Sequence, residues 1–450
     1  MMSSPIGKRA IVVGAGMGGL TAAAALADHF EQVLVLERDA LPADAVDRSG
    51  IPQGKHVHAL LAGGLRALGE SFPGFGAELA RAGAVTIRAG QDVRTERPGY
   101  DPFPQRDLGF DAFAMSRPLL EWLVRGRVRA LPNVELRPDC SVEALVARPD
   151  GAVVTGVRCG RAGATSEILN ADLVVDASGR GSLTLELLTS VGQPRPEETT
   201  IGVDLRYATA VFSIPDDAPA DWKGVFHFPH VPRTSRGALL LPLEGRRWIV
   251  TLAGRHGEDP PGDADGFMTF VRRLRTSTIF DALEPAKRLS EVMRFGFPES
   301  VYRHYEQLAA FPRGLLTVGD AICRFNPVYG QGMSVAAQEA VVLRQLLSAR
   351  AGTADPLDGL ASPFFAEAAA LIDNPWFGAV IPDFAHPKTR GTRPENLEAM
   401  LKLGTALVRL AARDPAVHKL AAEIQNLLKP RSAYLDPELM QKVQALTASG

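Results

Sequence analysis

Gly14, Gly16 and Gly19 stand at G-x-G-x-x-G spacing, inside Gly14-Ala15-Gly16-Met17-Gly18-Gly19, near the start of this 450-residue chain. That spacing binds a pyrophosphate. The first glycine permits a tight turn, the second lets the anion approach the backbone, and the third lets helix and strand pack closely. Glu37 lies where an acid would accept hydrogen bonds from ribose hydroxyls. By itself this pattern does not separate FAD from NAD. A second glycine-rich stretch, LLTVGDAICRFNPVYGQGM over 315–333, delivers Gly319-Asp320 and then a loop with Pro327, Gly330 and Gly332. An Asp at a strand end can bond a polyol, and a Gly-rich loop entering a helix can offer N–H groups to a ring edge, which points to FAD.

His56 and His58 are two residues apart. On a helix, positions i and i+2 do not share a face, so the pair is a poor metal site and no metal is expected. A helix is predicted over His56–Glu70, after the Pro52-Gln53-Gly54 turn. One histidine is then a candidate to face a cavity as hydrogen-bond donor or proton source; structural packing or a phosphate contact is the alternative. Tyr207, Phe226 and Trp248 are candidates to line an apolar substrate cavity, with plain sheet core as the competing account for each.

These residues need elements to hold them. RAIVVG (9–14) reads as a buried strand, 17–30 as an Ala-rich helix and QVLVLE (32–37) as a second strand, together a β-α-β unit. A helix is predicted over Arg117–Leu131, with Ser116 as N-cap and Pro118 in its first turn. Strand patterns then dominate to Leu252. A strand at 315–318 and a helix at 334–347 return, and beyond 351 the pattern is helical with Pro and Gly breaks. The expected organisation is a discontinuous FAD-binding domain (1–195 and 285–350), an inserted, mainly antiparallel substrate sheet (196–284, with part of 85–115) and a C-terminal helical region (351–450).

Net charge is −2, with 22% charged and 46% hydrophobic residues, and no basic block is present, which argues against nucleic acid as partner. Cys140, Cys159 and Cys323 are too few and scattered for a disulfide framework, so a reducing cytoplasm is expected. No uncharged run reaches the roughly 18 residues of a membrane span, so no integral membrane segment is expected. Arginine outnumbers lysine 40 to 9.

The glycine motifs, with DRSGIPQGKHVHALLAGGL, LVVDASGRGS and RFNPVYGQGM, resemble those of FAD-dependent monooxygenases of the para-hydroxybenzoate hydroxylase fold. Within that group they look most like a bacterial subgroup that includes the polyene epoxidases of polyether biosynthesis. The motifs run from Ile11 to Ser334. The resemblance implies an α/β fold with a Rossmann-like domain of the glutathione reductase type. It implies that Gly14, Ala15, Gly16, Gly19 and Glu37 hold the adenosine half of FAD, with Arg38 beside the adenine and Arg48 and Arg117 near the ribose and pyrophosphate. It places Asp320 on the ribityl chain, Pro327 against the ring face and the backbone of Gly330–Met333, Gly332 included, at the pyrimidine edge.

The activity implied is insertion of one oxygen atom from O2, through a flavin C4a-hydroperoxide, into a hydrophobic aromatic or alkene small molecule, in specialised metabolism. A flavin-dependent isoprenoid-type reductase or cyclase, or a flavin halogenase, is the alternative. One departure concerns the electron donor. Where relatives carry Asp-Gly, a motif tied in many of them to pyridine nucleotide, this chain has Asp176-Ala177-Ser178-Gly179, with Ser178 in place of the Asp. NAD(P)H is therefore expected to act directly or through a separate flavin reductase.

Overall fold

The computed structural model describes residues 5–448 apart from 162 and 164. Five strands form a parallel sheet in the order Leu315–Thr317, Leu173–Asp176, Gly7–Val13, Phe30–Leu36, Val134–Arg137. Apolar runs suit it because helices and a second layer cover both faces. On one side pack the helices Met17–Ala27, Arg117–Arg129 and Gly332–Arg350; on the other lies the antiparallel three-stranded sheet Ser141–Ala147, Val154–Gly160, Glu167–Asn170. Ser116 caps Arg117–Arg129, its side chain accepting from the Leu119 N–H at 3.2 Å.

A seven-stranded sheet stands against this domain, in the order Cys323–Arg324, Met293–Arg303, Glu198–Ser213, Arg247–Arg255, Gly237–Leu243, Gly224–His227, Val93–Glu96. Every pairing is antiparallel except the last. The segment 196–284 supplies four of the seven strands. Met293–Arg303, which the sequence pattern places with the FAD-binding part, instead pairs along Glu198–Ser213. Strand partners are chosen by register across the sheet, which chain order does not reveal.

Two other expectations change. The helix expected from His56 begins at Ala62, and Pro52–Lys55 forms a single 3-10 turn. The intervening residues stay irregular because the Leu61 N–H, which such a helix would give to the Val57 carbonyl, donates to the Ser334 hydroxyl at 3.0 Å, and the His56 carbonyl lies 3.0 Å from the His58 ring. The C-terminal region is less broken than its prolines suggest: Ala361–Phe384 is one helix containing Pro375 and Pro382. The later helices Leu397–Arg413, Pro415–Gln425 and Pro437–Ala448 bury Ala406, Leu410, Val417 and Leu439 around Phe103. Arg106 donates to the carbonyls of Ala411 and Ala412, and the Gly63 N–H to that of Asn426, so this bundle is tied to both domains. Among the described residues no helix is long and apolar enough to cross a membrane.

Candidate active site

The first strand ends in the glycine turn. Gly14 takes φ +100°, a value that L side chains rarely adopt. A Cβ at Gly19 would collide with the Gly14 carbonyl oxygen, so helix and strand meet only because it is absent. A Cβ at Gly16 would meet nothing: the backbone there borders open space. The helix that follows has no side-chain cap and no acid in its first turn, leaving its N–H groups and positive end free for an anion.

Around this turn the charges are already paired. Glu37 accepts from the Ala15 N–H at 2.8 Å and the Asp39 N–H at 3.1 Å, and Arg48 reaches it at 3.0 Å. Arg48 also donates to Glu121 at 2.6 Å and to the Ala15 carbonyl at 2.9 Å. Glu121 in turn meets Arg117 at 2.8 Å and Arg125 at 3.4 Å. Burial opposes the charge on Glu37, but Arg48 and the two N–H donors outweigh it and hold the carboxyl below the ordinary range. Arg117 keeps one buried amino group, Nη1, without a partner among the described residues. Arg38 points outward, its side chain 69% exposed.

The downstream motif packs beside this turn: a Cβ at Gly18 would lie 3.7 Å from Ala336 and 3.9 Å from Gly319. Gly319 (φ +63°) and Asp320 follow the edge strand Leu315–Thr317. Asp320 meets solvent within a cleft, yet enough protein surrounds it that burial, partly offset by Arg324 and Arg303, pushes its carboxyl up to about 6. Behind it, Glu339 is wholly buried and accepts from the Gly319 N–H at 2.6 Å; its other oxygen has no partner. Burial and nearby Asp320 raise Glu339 to about 8, so at neutral pH it is mainly an uncharged acid. The loop then makes a 3-10 turn at Pro327–Tyr329, with Gly330 at φ +66° against Ala59. It enters Gly332–Arg350, another helix without a side-chain cap or first-turn acid, and Gly332 and Met333 form its first turn.

Strand parity sorts the aromatic candidates. Tyr207, Thr209, Thr251, Phe226 and Phe295 share the face of the large sheet turned toward residues 56–61. His56 lies there, its ring centroid 5.8 Å from Tyr207 and 5.5 Å from Phe295. Trp248 does not belong to this face. It stacks on Trp222 at 5.9 Å and is buried with Phe212, Phe267 and Phe270 beneath the helices on the opposite side. Its register partner is Phe212, five residues from Tyr207, and an odd separation along a regular strand reverses the face. His58 is half-buried, and burial, with Arg117 nearby, lowers it to about 4. Among the described residues no cluster could hold a metal ion.

These residues fit a flavin dinucleotide on three observations: the open space at Gly16, two helix N-termini without side-chain caps, and Asp320 beside the second of them, 3.6 Å from where a Cβ of Gly332 would sit. Residues 8–358 match the family model described as FAD binding domain. The chain belongs to this family. It is an FAD-dependent oxidoreductase, and FAD is its cofactor. Over 353 residues this flavoprotein is 34% identical to Protein Rv3254 of Mycobacterium tuberculosis, covering 76% of this chain and 73% of that one. Among solved structures, the flavin-dependent brominase Bmp2 superposes with a TM-score of 0.66 at 11% identity, over 98% of this chain and 99% of that one. PqsL, a probable FAD-dependent monooxygenase from Pseudomonas aeruginosa, gives 0.61 at 19% identity, over 84% and 97%. At these identities the likeness establishes the fold.

Sequence reading missed a buried carboxylate that clamps the flavoprotein's ring loop. Asp383, from the helix Ala361–Phe384, meets Arg255 at 2.7 Å, the Asn326 side chain at 3.0 Å with both oxygens, and the Tyr329 hydroxyl at 2.8 Å. It joins the C-terminal region, the large sheet and the ring loop at one point. Its signal was a lone acid in the apolar stretch GAVIPDF. Glu339 and Glu121 carry similar signals, an acid among small apolar residues and an acid four after Arg117. Thr209 and Thr251 carry none, because threonine is ordinary in strands.

Proposed function

We propose that this flavoprotein is a monooxygenase that inserts one oxygen atom from O2 into a hydrophobic aromatic or alkene molecule. The observation that carries the reading is the segment 56–61. It touches the ring loop through Ala59 and Gly330 and the aromatic face of the large sheet through His56 and Val57, so cofactor and substrate faces meet across it. Reduced FAD, when bound, supplies the oxygen activation. Asp320 and the backbone of Gly330–Met333 would hold it, and the positive end of the helix Gly332–Arg350 would favour negative charge on the reduced cofactor. Tyr207 and Phe226 offer the substrate an apolar wall, and the packed sheet excludes water that would waste the oxidant. In this reading the large sheet is the substrate-binding unit and the C-terminal helices cover it.

Electrons come from NAD(P)H, directly or through a separate flavin reductase. In the Asp176-Ala177-Ser178-Gly179 turn, Asp176 is consumed internally, accepting from the Ser178 N–H at 3.0 Å and the Thr184 hydroxyl at 2.7 Å. Ser178 brings no carboxylate to the surface, which favours the separate reductase. Stopped-flow reduction of the purified holoprotein by NADPH, with and without an added flavin reductase, tests this; fast reduction by NADPH alone would refute the second donor route. Incorporation of 18O from labelled dioxygen into product tests the monooxygenase reading. A product without the label would favour the reductase or cyclase alternative, and a halogenated product in the presence of bromide the halogenase.

A further inference from the structure

The hydroxyls of Thr209 and Thr251 form a buried cross-strand pair, 2.7 Å apart, on the sheet face that carries Tyr207 and Phe295. Each end of this pair touches the segment 56–61. The Val57 N–H lies 3.1 Å from Thr251 Oγ1 and can only donate. The remaining neighbour, His56 Nδ1, lies 2.7 Å from Thr209 Oγ1. If Thr251 donates to Thr209 and Thr209 donates to His56, every hydrogen has an acceptor. The reverse polarity would leave the Thr251 hydroxyl hydrogen buried with no acceptor among the described residues, an arrangement proteins avoid. Nδ1 of His56 is therefore the acceptor, and its proton sits on Nε2.

His58 takes the opposite form. Its Nδ1 lies 3.0 Å from the His56 carbonyl, which can only accept, so its Nδ1 carries the hydrogen and Nε2 a lone pair. Both rings are neutral at physiological pH. Burial, helped by Lys55, lowers His56 to about 4, and His58 reaches the same value. His56 Nε2 has no partner among the described residues. Unlike the unpartnered Nδ1 of His29 and of His227, it is not sealed from accessible space. It stands beside Tyr207 and Phe295, on the face that the proposed function assigns to substrate.

We propose that Thr251, Thr209 and His56 form a one-way hydrogen-bond relay that presents a neutral Nε2–H donor to the substrate. The site then takes an apolar molecule bearing an acceptor oxygen, carbonyl, ether or phenolic, in preference to a bare hydrocarbon. Thr209 and Thr251 are positioning residues; His56 touches the substrate. The inference rests on the reading of this sheet face as the substrate face.

The test uses the full-length holoprotein with 15N-labelled histidine, at pH 7.5. Long-range 1H–15N correlation, with the His56 signals assigned by their loss in His56→Gln, reads the tautomer directly. The expected result is a protonated Nε2 and an unprotonated Nδ1 in the wild type, a mixture of tautomers in Thr209→Val, and restoration in Thr209→Ser. An imidazolium, or an Nδ1–H tautomer in the wild type, overturns the relay. Acetophenone and its hydrocarbon isostere α-methylstyrene then probe the donor. Acetophenone should bind about tenfold more tightly and move the Nε2–H resonance, and His56→Phe should abolish that preference. If acetophenone perturbs the flavin spectrum but leaves the Nε2–H unmoved, the donor role fails while the substrate face stands. If neither probe moves the flavin spectrum or the histidine, the substrate-face reading fails and the proposal falls with it.

Discussion

The glycine turn and the downstream Gly-rich loop handle buried charge in opposite ways. At the glycine turn, Glu37, Arg48, Glu121, Arg117 and Arg125 form one buried ionic network, which holds the Glu37 carboxyl below the ordinary range. At the downstream loop, Asp320 and Glu339, beside and within the helix Gly332–Arg350, have their carboxyls pushed upward, to about 6 and about 8. The first end is rigid before any ligand arrives, because each buried charge has a partner. At the second, Asp320 is mostly ionised at neutral pH while Glu339 is held mainly uncharged, so Glu339 does not cancel the field of its helix. Shape is preorganised by ion pairs at one end, and potential by withheld ionisation at the other.

The most damaging way to break this contrast is Arg48→Ala. It leaves Glu37 and Glu121 buried with a lost partner, and about 3 to 5 kcal/mol of stability should go, read by urea unfolding, together with retention of FAD on gel filtration. Arg48→Lys should recover only part of it, since one ammonium cannot fork between two carboxylates.

Asp383→Asn attacks the ring end. It weakens the hold on Arg255 and the ring loop and should cost about 2 to 3 kcal/mol, with faster FAD dissociation measured by the return of free-flavin fluorescence. A variant as tight as wild type would show that the loop does not depend on the C-terminal region.

Glu339→Gln should act through pH. A carboxyl raised to about 8 when folded, against an unfolded value near 4.5, contributes stability fully present below about 4.5 and lost as pH rises through 8. This group should therefore lower the wild-type Tm between about pH 4.5 and 8, and the glutamine variant should show a flatter profile there; equal slopes would place the ionisation elsewhere. Arg38→Ala should change stability by no more than about 0.5 kcal/mol, because the side chain is exposed and its ion pair with Asp39 is long, at 4.0 Å. A drop in FAD affinity without loss of stability would reveal the adenine contact that the family resemblance assigns to it.

Legibility in the sequence followed distance along the chain. The glycine turn, Glu37 and the Gly319-Asp320 loop lie within local strand-turn-helix patterns, and the structure gives them the local geometry those patterns imply. Trp248 parts from Tyr207 and Phe226 for a reason of parity: one register decided that it faces Trp222 and not His56. The helix start at His56 failed because the Ser334 hydroxyl, 273 positions away, takes the Leu61 N–H that the helix would have given to the Val57 carbonyl.

What the amino-acid sequence determined alone is the dinucleotide turn and the class of its cofactor, because glycine spacing and buried apolar runs act through the few residues on either side. What only the tertiary structure decided is which polar groups meet in the interior. Asp383 finds Arg255 across 128 positions, and Thr209 finds Thr251 across 42 and His56 across 153. Those meetings depend on strand register and helix docking, and burial makes them consequential, because a polar group removed from water must find its partner inside the protein.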